Sequence, residues 1–432
     1  MLRTALPLSR RAAIVSCAVG LALTLAPTAQ AAPVPGLTVA TAADTAHRGH
    51  DAPTVRFATY NASLNRNAAG DLSRDLATRD NAQAAAVAEV IQRERPDVLL
   101  INEFDYVADG SAVRDFSRNY LRDAHNGAKP IDYRYSWTAP VNTGVPSGFD
   151  LNNNGTVGGG DDAFGFGLFP GQYGMVVYSK YPIDTRNIRT FQKFLWKDMP
   201  GALLPDDPAT AAPRDWYSPQ ELAVFRLSSK SHWDLPVRIG RDTVHVLVSH
   251  PTPPSFDGAE DRNGTRNHDE IRLWADYITG GRKAGYLYDD RGRRGGLRPG
   301  SSFVIMGDQN SDPRDGDSVP GAIQQLLDNP RLTDTKPQSA GGPEAAVLQG
   351  GANVTQLSDP RYDTADFSDV PLPGNLRADY VLPSKSLRIK GSGIFWPTTT
   401  DPLYRLTGAF PFPTSDHRSV WLDVAVGRQR GC

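Results

Sequence analysis

Phe303-Val304-Ile305-Met306-Gly307-Asp308-Gln309-Asn310 decides how this chain is read. Four apolar residues in a row mark a buried strand, and the run stops abruptly at a glycine, an acid and an amide. Glycine permits a tight turn at the strand end. Such a turn presents Asp308 and Asn310, two residues apart, on one side of the sheet edge. A carboxylate beside a carboxamide suits a water that must lose a proton and an oxyanion that must be held. Strands also run into Asp-x-Asn turns for purely structural reasons. The reading therefore depends on what partners the rest of the chain supplies.

Residues 1–31 read as a signal peptide that is removed from the fold. Arg3, Arg10 and Arg11 make a basic start, Ala12 to Ala26 is apolar, and Ala29-Gln30-Ala31 is a cleavage site. Ser9-Arg10-Arg11 fits a twin-arginine signal only loosely. Ile14-Val15-Ser16-Cys17 resembles a lipoprotein box, but the apolar segment continues past Cys17, against lipidation there. No later stretch approaches the roughly 20 apolar residues of a membrane span, so a secreted, extracellular protein is expected. Losing the leader leaves Cys432 as the only cysteine, and no intramolecular disulfide can form. A chain of this size can build its own core without one. The leader holds three arginines and no acid, which leaves 43 basic against 48 acidic residues, a charge of about −5. That balance argues against a general nucleic-acid binder, without excluding a nuclease whose site relies on a metal ion.

Residues 32–53, rich in Ala, Thr and Pro, read as a flexible lead-in. Residues 54–427 show no composition break and read as one catalytic domain. Val55 to Tyr60, Val98 to Ile101, Gly174 to Ser179, Val244 to Ser249, Phe303 to Met306, Tyr380 to Leu382 and Val420 to Val424 are strands. Asn81 to Arg93 is a helix. Ile271, Trp274, Ala275 and Ile278 share one face of another, with Asp269 and Glu270 in its first turn. Gly- and Pro-rich insertions fall at 140–170, 200–220 and 335–375. Arg282 to Arg298 carries six Lys/Arg against two Asp. This loop enters the N-terminal end of the 303–306 strand, which reads as a solvated surface remote from the chemistry rather than a nucleic-acid grip.

Polar residues recur where apolar strands finish: Asn61, Glu103, His250, Asp308 and Asn310. Asp379 stands beside a strand, and Ser415-Asp416-His417 comes just before the last one. Sheets of this kind bind ligands where the loops at strand ends converge. Two histidines, several carboxylates and two asparagines, with no thiol, make a hard oxygen-ligand site. That favours Mg²⁺ or Mn²⁺ over zinc.

Taken together, seven segments resemble the endonuclease/exonuclease/phosphatase superfamily, whose fold is that of pancreatic deoxyribonuclease. They are Ala58 to Asn61, Leu99 to Glu103, Gly174 to Ser179 with Tyr181-Pro182-Ile183, Val248-Ser249-His250, Gly307 to Asn310, Ala378-Asp379-Tyr380 and Ser415-Asp416-His417, in the family's order. The resemblance implies an α/β fold, a four-layer α-β-β-α sandwich of two mainly antiparallel or mixed sheets flanked by helices. It implies Glu103 as principal metal ligand, with Asn61 and Asp416 completing or flanking that site. Asp308 resembles the acid that orients or deprotonates the attacking water, and Asn310 the amide that holds the phosphate. Asp379 would fix the tautomer of His417, which stabilises phosphorane-like charge or takes part in proton transfer. His250 matches a second histidine, a candidate acid for the leaving group. Gln309 departs from the pattern, standing where the family more often has an aromatic or apolar residue.

Two features lie outside that pattern. The segment Pro251 to His268 leaves from the site side, and its Arg262 or Arg266 could pair with a substrate anion. Asp150, Asn152, Asn154 and Asp161 follow the spacing of a calcium loop, with Asp161 in place of the usual glutamate. These readings converge on a secreted, divalent-metal-dependent phosphoesterase, a monomer without an obligate protein partner, hydrolysing phosphate mono- or diesters. Small organic phosphates or lipid headgroups are the preferred substrates. A non-specific extracellular nuclease is the alternative. A non-catalytic binding module would be expected to have lost some of Glu103, Asp308, Asp379 and His417, and all are present.

Overall fold

The computed structural model describes residues 52–427. The expectations for the leader 1–31, for 32–51 of the lead-in, and for Cys17 and Cys432 lie outside those residues. Thirteen strands occur among the described residues: β1 (Thr54–Asn61), β2 (Val98–Asn102), β3 (Tyr135–Trp137), β4 (Met175–Ser179), β5 (Arg189–Thr190), β6 (His232–Ile239), β7 (Asp242–Ser249), β8 (Ser302–Asp308), β9 (Ala365–Asp366), β10 (Asn375–Leu376), β11 (Asp379–Pro383), β12 (Arg388–Ile394) and β13 (Val420–Ala425). One sheet runs β12-β13-β1-β2-β4-β3 and the other β11-β8-β7-β6-β5, with β9 and β10 as a separate ribbon. The central pairs β1/β2 and β7/β8 are parallel, and the other pairs are antiparallel.

The strands are apolar throughout because both faces are covered. In β1, Val55 and Phe57 face the opposite sheet while Ala58 and Tyr60 face helices. In β8, Val304 and Met306 point between the sheets while Phe303 and Ile305 point to the far side. The period of two sends alternate side chains into different cores, each fully buried one contributing about 1.5–3 kcal/mol. Helix Ala82–Glu94 covers the first sheet with Val87, Val90 and Ile91. Its N-terminus is capped by Asn81, whose side chain accepts from Ala84 N at 2.9 Å. Helix Arg262–Thr279 covers the second sheet with Ile271, Trp274 and Ile278, and ends at Gly280 with φ 70°. The result is the expected α-β-β-α sandwich with two mixed sheets.

Three local expectations change. β6 escapes a sequence reading because Pro236 sits inside it. The Pro236 carbonyl accepts from Asp184 N, so its donor-less nitrogen faces that sparsely paired edge and not β7. The helix after His250 begins at Arg262, inside the segment Pro251 to His268. Asp269 and Glu270 are consequently buried mid-helix rather than exposed at its start. Glu270 accepts from Ser229 N and from both Thr252 N and Oγ1, and Asp269 from Trp196 Nε1 and Leu203 N. The basic segment 282–298 sits, as expected, before Ser302 at the opposite end of β8 from Asp308, with Asp289 pairing Arg189 and Arg293.

Candidate active site

Strand direction gathers the polar residues at one edge of the sandwich. β1, β2, β7 and β8 deliver Asn61, Glu103, His250 and Asp308 at or just past their C-terminal ends. β11 and β13 run antiparallel to β8 and β1, so their N-terminal ends arrive at the same edge. Asp379, first in β11, stands directly across from Asp308. His417 precedes β13, whose Val420 pairs with Thr59. Gly307 is not a turn residue: it is still within β8. At its φ of 147° an added Cβ would fall 2.0 Å from Ser249 O, so the glycine lets β7 and β8 close up behind the site. The left-handed helical conformation falls instead on Asn310 (φ 52°) and Glu103 (φ 57°). Such strained backbone persists only where the surroundings impose it.

Asp308 is the hub. Its Oδ1 accepts from Asn310 N at 2.8 Å. Its Oδ2 accepts from Asn61 Nδ2 at 3.1 Å and lies 3.4 Å from His250 Nε2 and 3.6 Å from His417 Nε2. Burial drives its carboxyl upward, opposed by the His417 charge and reinforced by Asp379. His417 Nδ1 is held 2.8 Å from Asp379 Oδ2, which also accepts from Thr364 Oγ1 at 2.9 Å. Burial would lower the His417 pKa, but Asp379 and Asp308 overcome it and hold the ring well above the ordinary imidazole value. His250 goes the other way. Burial, then the positive charges of Lys230 and His417, push it well below that value, so it is neutral. Its Nδ1 has no hydrogen-bond partner among the described residues.

Glu103 accepts from Asn61 Nδ2 at 3.1 Å and from Asn65 Nδ2 at 2.8 Å. Burial raises its pKa, and the like charge of Asp416 raises it further. Asp416 accepts from Ser415 Oγ at 3.3 Å and Ser63 Oγ at 3.5 Å. Two carboxylates that repel one another, surrounded by neutral amides and hydroxyls, are a donor set that fits a hard divalent cation. Asn61 turns its amide nitrogen toward Glu103 and Asp308, while its oxygen accepts from Ser63 N. Asp308, Asp379 and His417 also offer ligand atoms within 4.8 Å of one another. There the ring's own proton already supplies a positive charge between the two acids.

Several residues fall differently from expectation. Arg266 is buried in the second turn of its helix, and its guanidinium donates to the carbonyls of Leu227, Phe164 and Arg226 over the Phe225 ring. Buried there, it fastens loops. Arg262 pairs with Glu260. In the 150–161 loop, Asp150 and Asn152 accept the loop's own N–H groups from Asn154 and Gly155. Asp161 is exposed, and it is Asp162 that turns inward, accepting from Leu151 N and Gly158 N. Gln309 fills its buried position by hydrogen bonding to Ser249 Oγ at 3.2 Å, a contact that ties β7 to β8. Sequence reasoning missed Thr364, Asn65 and Lys230. Lys230 lies just before β6, whose start reaches the site edge because β6 is antiparallel to β7; the signal was hidden with the strand.

No curated protein matched the chain. Among solved structures, an endonuclease/exonuclease/phosphatase from Beutenbergia cavernae is 18% identical with a TM-score of 0.44, over 87% of this chain and 72% of that one. Sphingomyelinase C from Streptomyces griseocarneus is 14% identical with a TM-score of 0.42, over 87% and 100%. Beta toxin from Staphylococcus aureus, in a structure with bound magnesium ions, is 13% identical with a TM-score of 0.42, over 86% and 99%. The sequence model of the Endonuclease/Exonuclease/phosphatase family matches residues 58–417, so the chain belongs to that family.

Proposed function

We propose that this chain is an exported, divalent-metal-dependent phosphoesterase that hydrolyses phosphate mono- or diesters by in-line attack of water. The observation that carries the reading is the convergence of Asn61, His250 and His417 on Oδ2 of Asp308. A water in that corner would give its proton to Asp308, whose raised affinity for protons suits a base. Glu103 and Asp416, with Asn61 rotated to offer its oxygen, would hold Mg²⁺ or Mn²⁺, which would neutralise charge on the phosphoryl group. His417, kept cationic by Asp379, would face the oxyanion that develops. His250, neutral, would serve as a hydrogen-bond donor through Nε2 rather than as a cationic acid. Asn310 would offer its amide to the phosphoryl oxygens.

A substrate panel tests this. Plasmid DNA, RNA, mono- and bis-nitrophenyl phosphates, sphingomyelin and phytate are each incubated with Mg²⁺, Mn²⁺ or Ca²⁺. Turnover that EDTA abolishes is expected on the small phosphates or the lipid. Inactivity on every phosphoester sinks the reading, and preference for plasmid DNA selects the nuclease alternative. Export is tested by the mass of the protein recovered from culture medium, which should begin at Ala32.

A further inference from the structure

Among the described residues, Lys230 is a buried ammonium without a carboxylate partner. It is 6% exposed. Among the described residues the one hydrogen bond from its Nζ runs to Pro251 O at 3.5 Å, at the outer limit for such a contact. An ammonium has three donors, and burying one unpaired is costly. Burial lowers its pKa, and the acids whose fields oppose that are Glu270, Glu103 and Asp308. Each is engaged elsewhere: Glu270 by Ser229 and Thr252, Glu103 by Asn61 and Asn65, Asp308 by Asn61 and Asn310. The same Pro251 carbonyl accepts from Asn310 Nδ2 at 3.2 Å. One carbonyl therefore gathers a cation and an amide donor beside Asp308 and His250.

We infer that Lys230 Nζ is a second donor, beside the Asn310 amide already placed on the phosphoryl group, to a non-bridging oxygen of the substrate, held ready by the Pro251 carbonyl. This rests on the phosphoesterase reading above. An anionic oxygen is a stronger acceptor than the distant carbonyl it displaces. A full positive charge also rewards a dianionic monoester more than a monoanionic diester.

The probe is inorganic phosphate, titrated calorimetrically into the Mg²⁺-loaded full-length protein and its Lys230→Met and Lys230→Arg variants. Lys230→Met is expected to weaken phosphate by roughly ten- to hundred-fold, the worth of one charge-assisted hydrogen bond, with Lys230→Arg recovering part of it. In turnover, Lys230→Met should cost nitrophenyl phosphate more than bis-nitrophenyl phosphate. A wild-type protein that takes no phosphate, or a Lys230→Met that binds it equally well, overturns the subsite. Should Lys230→Met fail to fold, Lys230→Gln and Lys230→Arg carry the comparison. Phosphate binding needs no turnover, so a protein that hydrolyses no ester yet loses phosphate with Lys230→Met keeps the subsite and sinks only the esterase reading.

Discussion

His250 and His417 reach the same oxygen of Asp308 from the two different sheets, 3.4 and 3.6 Å away, and both are buried. Their protonation is pushed in opposite directions. His417 has Asp379 at its other nitrogen and is held cationic; His250 has no hydrogen-bond partner at Nδ1 among the described residues, stands near Lys230, and is held neutral. Burial acts on both rings with the same sign. Neighbouring charge decides the outcome, because a carboxylate at 2.8 Å outweighs desolvation and a nearby ammonium adds to it. One imidazole type thus supplies a fixed positive charge and a neutral donor at one site.

The comparison can be broken at its centre. Asp308→Asn leaves the shape but removes the acceptor shared by both rings, and kcat should fall roughly a thousand-fold with little change in KM. Unchanged kcat would remove Asp308 from the chemistry. Asp379→Asn acts on one ring only. It should cost roughly ten- to hundred-fold in kcat and also move the pH profile. A histidine with a raised pKa is active in its charged form below that pKa and lost above it, so weakening the partner shifts the alkaline limb to lower pH. A limb that stays put argues that His417 is not the titrating group. His250→Gln removes a neutral donor, for which about ten-fold in kcat/KM is expected, the worth of one hydrogen bond. Its pH profile should match the wild type, because the lost ring did not titrate in the working range.

Glu94 sharpens the same lesson with an acid. It is buried behind Ser419, and one of its oxygens has no hydrogen-bond partner among the described residues. Burial raises it to about 7, against weak opposition from Ser419 and Arg56. An acid whose folded pKa lies above its unfolded value contributes full stability below pH 4.5, and that contribution is lost as pH rises through 7. Glu94→Gln should therefore raise the unfolding free energy at pH 8 by up to about 3 kcal/mol, the gain fading toward pH 5. A gain that is the same at both pH values would show that the Glu94 pKa is not raised in the folded protein.

Much of this was legible in the sequence where local pattern and physical cause coincide. Apolar runs ending in polar residues gave β1, β2, β7 and β8 and their cargo of Asn61, Glu103, His250 and Asp308, because strands buried on both faces must be apolar and only their ends meet water. Arg266 and Asp161 were misread because motif spacing shows neither which face of a helix is buried nor which of two adjacent acids turns inward.

The sequence by itself determined the family, the sandwich and the identity of the polar groups, since hydrophobic period and motif order are local properties of the chain. Only the tertiary structure decided which groups face one another. Antiparallel register sets Asp379 across from Asp308, Pro236 conceals the strand that carries Lys230 to the edge, and the charges gathered there give two histidines opposite states. Those outcomes depend on distances between residues far apart in the chain, and electrostatic energy follows distance in space rather than separation in sequence.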